Sequence, residues 1–128
     1  MKKNLPNPTS AELEILQILW DHGPHSVREV QHLLNRTKPT GYTTALKMLQ
    51  IMTTKGLVTR DDSCRPQIYS PRYPREHTQR QLLRDLAERA FGGSVKALVL
   101  QAVGGRKSSQ REMEEMEKLL DRLEGKTK

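Results

Sequence analysis

Apolar positions recur at helical spacing up to Lys55, give way to short extended runs, and return to helical spacing after Pro74. Thr9 and Glu12 have the capping-box spacing, in which each side chain satisfies a backbone N–H of the other. Leu13, Leu16, Leu19 and Trp20 then form a stripe that Gly23-Pro24 ends. Ser26 and Glu29 repeat the box before a second helix carrying Val27, Val30, Leu33 and Leu34. Pro39 stops that helix, because it lacks an N–H and pushes the preceding residue extended. A third helix is predicted from Thr40 to Lys55, with Tyr42, Ala45, Leu46, Leu49 and Met52 on one side at roughly 100° per residue. Gly56 suits the left-handed position that closes it. Three short helices, the last two joined by a few polar residues, make a helix-turn-helix. Leu57–Arg60 and Gln67–Ser70 read as the two strands of a hairpin around Asp61 to Pro66, which makes the helix-turn-helix a winged one.

Pro71 and Pro74 mark a boundary, so the expected domains are residues 1–74 and 75–128. Residues 1–8 read as a loose polar arm. Beyond the boundary, Leu82, Leu83, Leu86 and Ala90 stripe one helix, closed by Gly92-Gly93. Ser94 can cap a second, carrying Val95, Leu98, Val99 and Ala102. A third box, Ser109 with Glu112, precedes a helix whose Met113, Met116, Leu120 and Leu123 have the 3-4-3 spacing of an a/d seam. Three such helices have too little mass to bury their own apolar faces. A second copy of the chain would complete the core, through Leu82, Leu86, Leu98 and the seam residues. The fold class expected is mainly α: an α+β winged helix-turn-helix followed by a C-terminal three-helix dimerisation module.

Charge sharpens this picture. The 128 residues carry a formal net charge of +7. Residues 1–35 hold three basic and four acidic side chains; residues 36–75 hold eight and two; residues 76–128 hold eleven and nine. The excess therefore sits around the third helix and the hairpin, where it draws polyanions, nucleic acid foremost. The outward face of that helix carries Thr40, Thr43, Thr44, Lys47, Gln50 and Thr54 without one carboxylate. Solvated faces usually mix both signs of charge. Small hydroxyls, an amide and an amine suit phosphates and base edges instead, so this is read as a DNA recognition helix. Thr40, Thr43, Thr44 and Lys47 are the candidates for bases or adjacent phosphates, and Lys55, Arg60 and Arg65 for phosphate.

Other chemistry finds little footing. The single cysteine, Cys64, excludes an intramolecular disulfide and suits a reducing cytosol. With no long apolar run and no signal-peptide pattern, the expected location is cytoplasmic. His22, His25 and His32 match no zinc spacing. No phosphate loop or nucleophile set is present, so neither a cofactor, a metal nor an enzymatic role is expected. Two other functions fit a winged helix: a protein-docking module, or a regulator controlled by a small molecule held between its domains.

The runs LPNPTSAELEILQILWDHGPHSVREVQHLL, GYTTALKMLQIMTTKGLVTR and FGGSVKALVLQAV resemble the BlaI/MecI/CopY family of bacterial repressors, the penicillinase-repressor family. The resemblance implies a homodimer that represses genes on a palindromic, inverted-repeat operator in double-stranded DNA. It also implies, for many relatives, a membrane-bound metalloprotease sensor that relieves repression by cutting the C-terminal module. The corresponding bond here joins Gln101 and Ala102, where the best-studied relatives have Asn-Phe. The copper-sensing branch uses a C-terminal Cys-x-Cys pair, which this chain lacks.

Overall fold

The computed structural model describes residues 7–104 and 110–123. The chain divides into two compact units between Thr78 and Gln79. That division lies inside a helix, four residues beyond the 74/75 boundary marked by the prolines. Its physical reason is local, because the first turn of that helix is fastened to the first unit. Arg75 pairs with Asp21, its guanidinium stands 5.6 Å from the Trp20 ring, and Thr78 is buried.

In the first unit, α1 spans Ser10–His22, α2 Val27–Leu34 and α3 Tyr42–Lys55. Both expected capping boxes form. The Thr9 hydroxyl accepts from the Glu12 N–H at 3.1 Å, and the Glu12 carboxylate accepts from the Thr9 N–H at 2.9 Å. Ser26 and Glu29 make the same reciprocal pair at 3.3 and 2.9 Å. Gly56 ends α3 at φ 83°, a left-handed turn that costs glycine nothing sterically. The start of α3 is two residues later than the apolar spacing predicts. Thr40 stays in the connecting turn, its N–H bonded to the Asn35 side chain at 2.6 Å and its hydroxyl to the Lys38 carbonyl at 3.0 Å. Gly41 is the N-cap.

The hairpin consists of β1, Val58–Asp61, and β2, Ile68–Pro71, antiparallel with Arg60 opposite Tyr69. Each strand lies one residue later than expected. Leu57 is buried, and its carbonyl accepts from the Arg72 N–H at 3.0 Å, so it belongs to the helix–strand corner. A bridge joins His25 to Tyr69, with N–H to carbonyl bonds in both directions at 3.1 and 2.8 Å. The turn after α1 thereby holds the hairpin by its second strand. The core draws Ile15, Leu16 and Leu19 from α1, Val30 and Leu34 from α2, Ala45, Leu49 and Met52 from α3, and Val58 and Tyr69 from the hairpin. The indole N–H of Trp20 donates to the Tyr73 carbonyl at 3.1 Å.

The remaining helices are α4, Arg75–Ala90, α5, Val95–Gly104, and α6, Gln110–Leu123. The Ser94 hydroxyl accepts from the Ala97 N–H at 3.0 Å, the expected cap of α5. Within the second unit, Ala87, Leu98 and Leu120 are the buried apolar side chains among the described residues, and Lys96 reaches Asp121 at 3.2 Å. Leu83, Leu86 and Leu119 remain 39, 42 and 47 % exposed. This differs from the apolar residues expected at the surface. Leu98 and Leu120 are spent on the unit's own small core, Leu82, Met113 and Met116 are half-buried, and Leu86 is joined at the surface by Leu83 and Leu119. The box at Ser109 and the side chain of Leu123 lie outside the described residues, as does most of the N-terminal arm.

Candidate nucleic-acid interface

The outward face of α3 is set by what its inward face must bury. With Ala45, Leu49 and Met52 fully buried, helical geometry turns Thr43, Thr44, Lys47, Gln50, Ile51 and Thr54 to the surface, and all six are exposed. No carboxylate lies among them. Their hydroxyls are not equivalent. Thr53 and Thr54 donate to the Leu49 and Gln50 carbonyls one turn back, at 2.8 and 3.3 Å. Among the described residues, the Thr43 and Thr44 hydroxyls are not spent in this way. The hydroxyls of the face that are not bonded back to the helix thus lie in its first turn.

Sequence-predicted cations divide into three situations. Lys47 is exposed on the α3 face. Lys55 is not available as predicted. Its ammonium sits 2.8 and 3.0 Å from the two carboxylate oxygens of Glu12, a residue 6 % exposed. Burial raises the pKa of that carboxyl, but Lys55 and the Thr9 N–H and hydroxyl outweigh it and hold the group below its ordinary value. Phosphate would have to take Lys55 from a buried carboxylate that meets no second cation among the described residues. The signal for this pairing is tertiary, since the partners stand 43 positions apart.

Arg60 is on β1 and pairs with Asp62 at 2.7 Å, with both side chains exposed. Asp62, followed by Tyr69, holds its guanidinium still more firmly protonated than usual. An exposed pair of this kind is worth little, so a phosphate can exchange for the aspartate. Neighbouring Asp61 is turned inward on the hairpin tip, accepting from the Ser63 hydroxyl and N–H at 2.6 and 2.9 Å. Those bonds lower its pKa.

Arg65, which precedes a cis proline, points to a third arrangement. It lines an open cleft of about 630 Å³ together with Arg28, Glu29, His32, Tyr42 and Leu46. The cleft lies between α2, the start of α3 and the hairpin tip. Arg28 stands 4.8 Å from the centre of the Tyr42 ring. Tyr42 was expected on the buried side of α3, yet it is 40 % exposed beneath this cation. Arg28 is a basic residue that sequence reasoning passed over, because its place beside α3 depends on how α2 packs. Thr40 does not join the α3 face, being held in the preceding turn. Gln101 and Ala102 lie in the last half of α5, both exposed and both within regular helix. No helix among the described residues is long and apolar enough to cross a membrane.

This geometry has relatives. A solution structure of the Bacillus licheniformis BlaI monomeric form in complex with the blaP half-operator is similar to this chain, with a TM-score of 0.51 and 27 % sequence identity. The similarity covers 59 % of this chain and 92 % of that one. The penicillinase repressor of Bacillus licheniformis is 23 % identical over 126 residues, which is 98 % of either chain. The sequence family described as penicillinase repressor matches residues 8–122. A winged helix with a helical C-terminal module and nearly full-length family agreement leads to one assignment: the chain belongs to the penicillinase repressor family.

Proposed function

We propose that this protein is a sequence-specific DNA-binding repressor that acts as a homodimer on an inverted-repeat operator. The observation that carries the reading is the acid-free, exposed face of α3, whose Thr43, Thr44 and Lys47 stand beside a hairpin bearing Arg60. In this reading α3 enters the major groove and the hairpin follows the backbone. Thr43, Thr44 and Lys47 meet base edges and adjacent phosphates, while Arg60, Arg65 and Arg28 supply positive charge to the flanks. The BlaI half-operator complex supports this placement by analogy of fold.

The exposed Leu83, Leu86 and Leu119 support the dimer, since a second copy would remove them from water. Two joined modules bind two half-sites with one loss of translational freedom, so the second contact enjoys a high local concentration. Repression would therefore be relieved by anything that unlinks the modules. A cut between Gln101 and Ala102, made by a membrane-bound metalloprotease sensor, would release α6 from the rest. Both residues are accessible, although α5 must unwind locally before a protease can hold them in extended form.

A salt titration on duplex DNA tests the core of this reading. Log affinity should fall linearly with log salt concentration, steeply enough for several phosphate contacts. A flat dependence would instead favour a protein-docking module. Residues 1–101, expressed alone, should be monomeric and bind the two-half-site duplex far more weakly than the full chain. An equally tight, dimeric fragment would remove cleavage as the switch.

A further inference from the structure

An isoleucine stands among the polar residues on the exposed face of α3, on the side of Thr44 and Lys47. Ile51 is 45 % exposed, while the other apolar residues of the helix interior are buried or half-buried. A single exposed apolar side chain is ordinary on a protein surface. Its position is what distinguishes this one. Ile51 lies one turn beyond Lys47, two turns beyond Thr44 and three residues before Thr54, so it shares their face. Around it the hydroxyls of Thr53 and Thr54 are committed to the Leu49 and Gln50 carbonyls. The outward chemistry of the second half of the helix is therefore one amide, Gln50, and one branched hydrocarbon, Ile51. Most of what surrounds Ile51 could donate or accept a hydrogen bond; it can do neither.

We propose that Ile51 is a specificity-determining residue that reads the C5-methyl group of a thymine in each half-site. The argument rests on the placement of α3 in the major groove given above. Of the groups that base pairs present in that groove, the thymine methyl is the apolar one; the rest are hydrogen-bond donors and acceptors. A sec-butyl side chain on the groove-facing surface has no other favourable match, and against an amino or carbonyl edge it would dehydrate that edge without replacing its bonds. Ile51 thus favours A·T pairs by contact and disfavours G·C pairs by unpaired polarity. The rise of about 1.5 Å per residue puts it some 6 Å along the helix from Lys47. The thymine it reads is therefore not the base pair that Lys47 addresses.

The test uses the full chain and an operator duplex selected from a random-sequence library. Each thymine is replaced in turn by deoxyuridine, which removes the methyl group and leaves every hydrogen-bonding atom. For the wild type, one thymine in each half-site should lose about fourfold in affinity per methyl removed. Ile51→Ala should bind the thymine duplex more weakly and be indifferent to deoxyuridine at that position, so the two changes are not additive. If no thymine is sensitive, or if the losses add at every position, Ile51 does not read a methyl group. The wild-type arm decides the first point without any variant. A library that yields no preferred sequence at all would overturn the assignment together with the repressor reading. A selected operator with additive losses overturns the assignment alone.

Discussion

The two units of this chain are built from similar helices but close their apolar surfaces to different degrees. In the first, three helices and a hairpin converge on one core, with Ile15, Val30, Ala45, Leu49 and Met52 entirely removed from water. In the second, among the described residues, three helices of comparable length bury Ala87, Leu98 and Leu120 and leave three leucines at the surface. The hairpin makes much of the difference. Val58 and Tyr69 close the side of the first unit that helices alone would leave open, whereas the described residues of the second unit contain no strand. A module that completes its own core can face a ligand with its remaining surface. One that does not leaves apolar surface in water, which is what the proposed dimer would cover.

Several changes would break or sharpen this contrast. Leu86→Asp with Leu119→Asp targets the open surface and should leave both units folded, since neither side chain is buried. Light scattering should then report a monomer, and apparent affinity for a two-half-site duplex should fall on the order of 100-fold. Affinity for an isolated half-site should not change. A dimer that survives the pair of aspartates would place the interface elsewhere. Leu49→Ala strikes the closed core instead, and should cost about 3 kcal/mol of unfolding free energy by denaturant titration.

Glu12→Gln is subtler, because glutamine can keep the capping box while removing the charge that holds Lys55. A cost of roughly 2 kcal/mol is expected at neutral pH. The folded Glu12 carboxyl titrates below its ordinary value, so its contribution is complete above that ordinary value of about 4.3 and lost as pH falls through the lower folded value. The gap in melting temperature between wild type and variant should therefore close in acid. A gap that widened there would mean that the pair does not govern it. Arg60→Ala is the mildest, weakening all duplexes alike and lowering the salt slope by about one. A change in sequence preference would give Arg60 a base contact instead.

How far the sequence foretold this molecule depends on the range of the interactions involved. The boxes at Thr9–Glu12 and Ser26–Glu29 are complete within four residues, and both formed where their spacing predicted. Glycine at position 56 ended α3 for an equally local reason. The hairpin was legible as a hairpin but slipped by one residue, because the burial of Leu57 against the helical core decides where β1 starts. Thr40 was misplaced because an asparagine side chain five positions earlier holds its N–H. The exposed, acid-free face of α3 was readable from composition and helical phase alone. Partnerships across elements, such as Lys55 with Glu12 or Arg28 with Tyr42, leave no periodic trace. Ile51 is missing from the sequence reading of that face: its hydropathy argues for the core, and only its helical phase places it outside.

The backbone bridge between His25 and Tyr69 bears on the timing of motions. Each residue's N–H is bonded to the other's carbonyl, so the base of the hairpin cannot lift without breaking contacts to the turn after α1. The amide hydrogens of His25 and Tyr69 should consequently exchange with deuterium at one common, slow rate, set by opening of the whole unit. Amides from Asp62 to Gln67, beyond the paired strands, should exchange orders of magnitude faster through local opening. A hairpin so anchored keeps one orientation against the helices, with only its tip left to adjust.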